Sequence, residues 1–170
     1  MLAKTQIGVE EYLALAFPDR PEPDYVHGEV VERSLPTPIH SQIQVLLGQL
    51  FAPLQAQVRL VLMSEVRARI EPDLFRIIDF AVYRDTRPDG RYATSPAFVA
   101  IEIVSPDDSY NNLTQRLEDY RRWGVSHIWL VDPWLKRVYE YSQLGLLQQP
   151  ALRLPEFDFS IATQDLFEIL

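Results

Sequence analysis

The chain has 170 residues, 47% of them hydrophobic and 11% aromatic, with no cysteine and a formal net charge of −8. This excludes disulfides and cysteine-ligated zinc, and an acidic balance argues against strong non-specific attraction to nucleic acid or an anionic membrane, though not against a local basic cleft. No apolar run is long enough to cross a bilayer and Met1–Gln6 carries no apolar signal core, so the expectation is one globular domain over residues 1–170, cytoplasmic, with no membrane partner.

In chain order, Thr5 is placed to cap a first helix through about Phe17, with Tyr12 and Leu13 among its apolar positions. Pro18 to Pro23 reads as a loop, and Tyr25 to Arg33 as a strand interrupted by Gly28. Thr37-Pro38 is a helix start, an N-cap residue followed by proline at the first helical position. Ile39, Ile43, Leu46, Leu47, Leu50 and Leu54 follow at spacings of three and four, which predicts an amphipathic helix packed on a sheet. Val58–Met63 and Val66–Ile70 read as strands paired with each other. Phe75–Tyr83 and Ala97–Val104 are further strands, joined by an exposed Arg/Asp/Pro/Gly loop. Asn112–Trp123 is a second helix, stopped by Gly124. His127–Val131 is an apolar strand ended by Asp132-Pro133, Arg137–Tyr141 pairs back on it, and Phe157, Phe159 and Ile161 alternate as a late strand. Hairpins mixed with helix-linked strands predict an α/β or α+β fold, a mixed sheet with helices against it.

Two acids stand inside apolar strands: Asp79 in Phe75–Tyr83 and Glu102 in Phe98–Val104. A buried carboxylate is costly unless a cation or hydrogen bonds compensate it. Two of them on neighbouring strands suggest a shared Mg²⁺ site, whereas each alone could simply cap a turn. In the second helix, at about 100° per residue, Leu113 falls at about 0°, Leu117 at about 40°, Tyr120 at about 340° and Trp123 at about 280°, and Arg116 at about 300° lies inside that apolar arc. A guanidinium there either meets an anion, carboxylate or phosphate, or snorkels to water.

The ordered set Asp79, Glu102-Ile103-Val104, Arg116-Leu117-Glu118-Asp119-Tyr120, Gly124-Val125 and Ile128-Trp129-Leu130-Val131-Asp132-Pro133 resembles the PD-(D/E)XK nuclease superfamily. More narrowly it is similar to the bacterial branch labelled putative restriction endonuclease. Tyr25-Val26-His27-Gly28-Glu29, Pro38-Ile39-His40 and Ser105-Pro106 match that branch too, so the resemblance covers nearly the whole chain. It implies a restriction-endonuclease-like central mixed sheet flanked by helices and Mg²⁺-dependent (or Mn²⁺-dependent) hydrolysis of DNA phosphodiester bonds; a homodimer is compatible with it. Asp79 and Glu102 would bind the metal, with the Ile103 carbonyl as a further ligand, and Glu29 would match the early acid that completes the site. Oxygen ligands suit Mg²⁺.

The chain departs from the pattern at two places. Ile78 stands where the motif has proline, and Val104 where it has lysine. In this branch a lysine commonly appears on the following helix, and that position is Arg116. The chain has fourteen arginines and only two lysines, Lys4 and Lys136, neither in a matching segment. Arginine is a poor proton acceptor but holds phosphate and offsets developing charge. Three functions are therefore open: a DNA endonuclease slowed by Arg116, an inactive nucleic-acid-binding or regulatory protein with the same fold, or an unrelated hydrolase using the two acids as acid and base. His40 could reach the site or a phosphate, although a histidine at a helix start is more often a surface or capping residue. His27, His127 and the three tryptophans read as structural, the Arg84–Arg91 loop as solvated or in contact with a nucleic-acid backbone, and Asp107 and Asp108 as caps of the second helix.

Overall fold

The computed structural model describes residues 6–19 and 21–168. Thr5 and Lys4 lie outside them. Helix α1 (Val9–Ala14) begins after Gly8 and is shorter than the pattern suggested. Strands β1 (Asp24–Val26) and β2 (Glu29–Val31) form a hairpin. Its turn, His27-Gly28, has φ of 49° and 95°, the left-handed pair that a two-residue hairpin requires and that glycine adopts without strain. Helix α2 (Pro38–Gln55) starts where expected, with Thr37 accepting from the His40 N–H.

Val58–Met63 and Val66–Ile70 do not pair with each other. They are halves of one strand, β3 (Leu60–Glu71), antiparallel to β4 (Leu74–Arg84) along its length. The Ser64-Glu65 interruption is not a turn; Glu65 takes a left-handed φ of 52° within the strand. Strand β5 (Val99–Ile103) runs antiparallel to β4. Helix α3 (Tyr110–Trp123), capped by the Ser109 hydroxyl rather than by Asp107 or Asp108, carries the chain over to β6 (His127–Asp132), parallel to β5. Gly124 stops α3 at φ 102°. Strands β7 (Arg137–Ser142) and β8 (Gly145–Gln149) extend the sheet as a meander. Strands β9 (Ala151–Leu154) and β10 (Phe159–Ala162) form a separate pair, followed by α4 (Thr163–Phe167). Phe157 lies in a 3₁₀ turn, not in the late strand.

Among the described residues the main sheet has eight strands, in the order β2-β1-β4-β5-β6-β7-β8, with β3 on the other edge of β4. Helix α2 covers one face: Ile43, Leu47 and Phe51 pack on Phe80, Val82, Ile101 and Trp129. Helix α3 covers the other: Leu117 and Tyr120 pack with Val66, Ile78, Ala81 and Ala100. This is the mixed sheet flanked by helices that was expected. No helix among the described residues is long and apolar enough to cross a membrane.

One edge of β4 is shared between two strands. Its start pairs with β1 (Tyr25 with Phe75, Val26 with Leu74) and its end with β5 (Phe80 with Ile101 through Val82 with Val99). Between these ladders, along Arg76–Asp79, side chains satisfy the backbone. Asp24 Oδ1 accepts from the Ile77 N–H and Asp79 Oδ2 from the Ile103 N–H, each at 2.9 Å. Ile78 belongs to the α3 face and Phe80 to the α2 face, so strict alternation breaks at Asp79. The sheet opens at this point.

Candidate functional site

Asp79 is 3% exposed and held from two elements and one segment. Its Oδ2 accepts from the Ile103 N–H of β5 and lies 3.2 Å from Nε2 of His40, in the first turn of α2. Its Oδ1 accepts from Arg33 Nη2 at 2.5 Å, from the segment between β2 and α2. Directly across the ladder on β3, Glu65 accepts from Arg33 Nη1 and from Gln44 Nε2, each at 2.8 Å. Gln44 Nε2 also donates to the Asp79 carbonyl. His40, Glu65 and Asp79 offer ligand atoms within 4.8 Å of one another.

Burial alone would raise the Asp79 pKa, but the His40 hydrogen bond and the Arg33 charge hold it below the ordinary carboxylate value. The same contact acts in reverse on His40: burial disfavours its charge, and Asp79 more than compensates, raising its pKa. His40 is 5% exposed, and its Nδ1 has no partner. It is neither a surface nor a simple capping residue.

Glu102 is 1% exposed and faces α3. Its Oε2 accepts from Arg116 Nη1 at 2.6 Å and its Oε1 from the Tyr120 hydroxyl at 2.7 Å. Burial and then the Asp79 charge push its pKa up to about 7, against the pull of Arg116 and Arg33. Arg116 also places Nη2 3.3 Å from Asp24 Oδ2. It therefore lies on the buried side of α3 and meets carboxylates. Asp24 in turn accepts from Arg76 Nη1 at 3.0 Å, and Arg76 reaches Asp119 of α3 at 2.6 Å.

Arg33, His40, Glu65, Asp79, Ile103, Asp108 and Arg116, among others, line a narrow cleft of about 40 Å³; Glu102, turned toward Arg116 and Tyr120, is neither in its lining nor in the His40–Glu65–Asp79 group. That volume suits a water or a cation rather than a nucleotide, so any polymer must lie across its mouth. Glu29 is not in the His40–Glu65–Asp79 group; it lines an adjoining depression of about 300 Å³ with Arg33, Asp107 and Asn112. The acid beside Asp79 is Glu65. At Ile103 the group that meets Asp79 is the amide N–H. Asp108 accepts from the Ser105 N–H instead of capping α3. Trp129 is core, and Trp134 is 53% exposed in the β6–β7 turn.

Sequence reasoning missed Glu65, Arg33, Asp24 and Arg76. Arg76 and Glu65 carried a usable signal, since each is a charge within a run of strand-forming residues, as Asp79 is.

The fold has a solved counterpart. The crystal structure of a putative nuclease belonging to DUF820 from Anabaena variabilis ATCC 29413 superposes with a TM-score of 0.76, covering 95% of this chain and 98% of that one at 24% identity. At that identity the likeness is one of fold. No curated protein matches the chain. The family model Uma2, described as "Putative restriction endonuclease", matches residues 9–166. Spanning almost the whole chain, from α1 through α4, that match establishes that the protein belongs to the Uma2 family of putative restriction endonucleases.

Proposed function

We propose that the chain is a divalent-metal-dependent endonuclease that hydrolyses DNA phosphodiester bonds. The observation that carries this reading is the convergence of Asp79, Glu65 and His40, from β4, β3 and α2, in a cleft beside Glu102 and Arg116. Two carboxylates, one of them oriented by an imidazole, are a fitting donor set for Mn²⁺ or Mg²⁺. The buried, unpartnered Nδ1 of His40 fits a ring held by its Nε2 side. Asp79 and Glu65 would hold the cation, with His40 bonded to Asp79 Oδ2 behind them and Glu102 on the neighbouring strand. When bound, the cation supplies charge for the phosphoryl oxygens and acidifies water.

The chain's own residues have separate tasks. Asp79 is fixed by Ile103 and His40, so its carboxylate is preorganised. Arg116 is held by Glu102 and Asp24, yet lines the cleft. It presents a permanent positive charge to a phosphate lying across the mouth. Arginine does not serve as a base, so turnover is slow. A second reading, a DNA-binding protein without turnover, is favoured by one observation: both Arg116 nitrogens that contact protein are committed to carboxylates.

The deciding assay incubates purified protein with supercoiled and linear DNA in Mg²⁺, Mn²⁺ or chelator. The expected result is slow nicking in Mn²⁺ or Mg²⁺, none in chelator, and none for Asp79→Asn. Retained DNA binding without cleavage under every metal condition would replace the nuclease with the binding module.

A further inference from the structure

We propose that Arg33 is a built-in competitor of the cation, a guanidinium that a metal must displace before Asp79 and Glu65 can ligate it. The inference rests on the metal-site reading above and concerns what controls that site. Asp79 Oδ2 is engaged by His40 and Ile103, and Glu65 Oε1 by Gln44. The other oxygen of each acid, Asp79 Oδ1 and Glu65 Oε2, is taken by Arg33, one nitrogen to each, at 2.5 and 2.8 Å. Among the described residues those two oxygens have no other hydrogen-bond partner. They are the pair a cation would use, and a planar fork bridging them excludes an ion from the same place.

The Arg33 side chain is only 8% exposed, so it is a committed counter-charge and not a surface residue brushing past. It also has somewhere to go. It sits on a segment without regular structure between β2 and α2, and it borders two further depressions, of about 300 and 190 Å³. These are lined by Glu29, Glu32, Asp107 and Asp108, and by Asp19. The device keeps the carboxylates neutralised without metal and raises the metal concentration needed to load the site.

The test is direct titration of Mn²⁺ by calorimetry, with thermal denaturation in parallel, on wild type and Arg33→Gln. Expected is a dissociation constant for Arg33→Gln lower by about tenfold or more, as competition between two cations for one site requires. The variant should also melt earlier than wild type in chelator and gain more from added Mn²⁺. Arg33→Lys, which keeps a charge but cannot fork across both acids, should bind Mn²⁺ severalfold more tightly than wild type, and it decides the matter should the glutamine variant fail to fold. Equal or weaker binding by the variants, with wild type still binding, overturns the competition and leaves the metal site standing. No Mn²⁺ binding by wild type or either variant overturns the metal reading, and the competition with it.

Discussion

At the scale of single residues, Asp79 and Glu102 are adjacent carboxylates made different by their partners. Both are buried, but Asp79 has His40, Arg33 and a backbone N–H and is held below the ordinary carboxylate value, whereas for Glu102 burial and the Asp79 charge outweigh Arg116, and its pKa rises from 4.5 to about 7. Because the folded protein holds the Glu102 proton more tightly than the unfolded chain, this stabilising contribution is complete below pH 4.5 and is lost as pH rises through about 7. Glu102→Gln cannot titrate. Denaturant titrations across pH should show wild type losing stability relative to the variant between those values, then running parallel above them. A constant difference from pH 4 to 8 would show that folding leaves the Glu102 pKa unshifted. Arg116→Ala should abolish metal-dependent cleavage, while Arg116→Lys should retain or raise it, read as nicking rate. The two acids and Arg116 were legible in the sequence because a charge inside an apolar run always needs an explanation. Arg33 was not, since it follows a short strand and precedes a proline-rich turn, and nothing local says that it reaches across 46 residues to Asp79.

At the scale of elements, α2 and α3 read well because their spacing, caps and stops agree. Thr37-Pro38 and Gly124 mark boundaries that the structure reproduces within two residues. Strand β3 read poorly. Ser64-Glu65 looked like a turn because two polar residues break an apolar pattern, whereas the pairing with β4 skips only Glu65 and resumes at Val66 in the same register. The cost of a left-handed Glu65 is offset by the bonds from Arg33 and Gln44 to its carboxylate, a long-range gain invisible to local pattern. The helix face is testable. Leu117 is fully buried between α3 and the sheet, so Leu117→Ala should destabilise by about 2–5 kcal/mol. Denaturant unfolding measures this directly, and a loss near zero would mean that the α3 face is not part of the core.

At the scale of the whole molecule, the opening between β1 and β5 along β4 is closed by charge rather than by strand pairing. A line of buried ions runs from Asp119 through Arg76, Asp24 and Arg116 to Glu102. It ties α3 to the β1–β2 hairpin and ends in the candidate site. Asp24 is its centre: fully buried, with Oδ2 facing two guanidiniums and Oδ1 holding the Ile77 N–H. Asp24→Asn keeps the shape but leaves Arg76 and Arg116 without their shared negative charge. Breaking a buried ion pair from one side costs about 3–5 kcal/mol, because the remaining charge is stranded. Arg76 keeps Asp119 and Arg116 keeps Glu102, so neither is fully stranded and the expected loss in denaturant titration lies at or below the lower end of that range. It should change little between low and moderate salt, since buried pairs are weakly screened. Arg122 and Glu71 give the contrast: 4.0 Å apart and both exposed, they should tolerate Arg122→Ala with a change below about 1 kcal/mol. Asp24→Asn should also slow metal-dependent cleavage, because Arg116 then rests on Glu102 alone and its placement over the cleft loosens. A stable variant with unaltered cleavage would show that Arg116 is positioned by Glu102 without help from the hairpin, and that the ion line serves neither the fold nor the site.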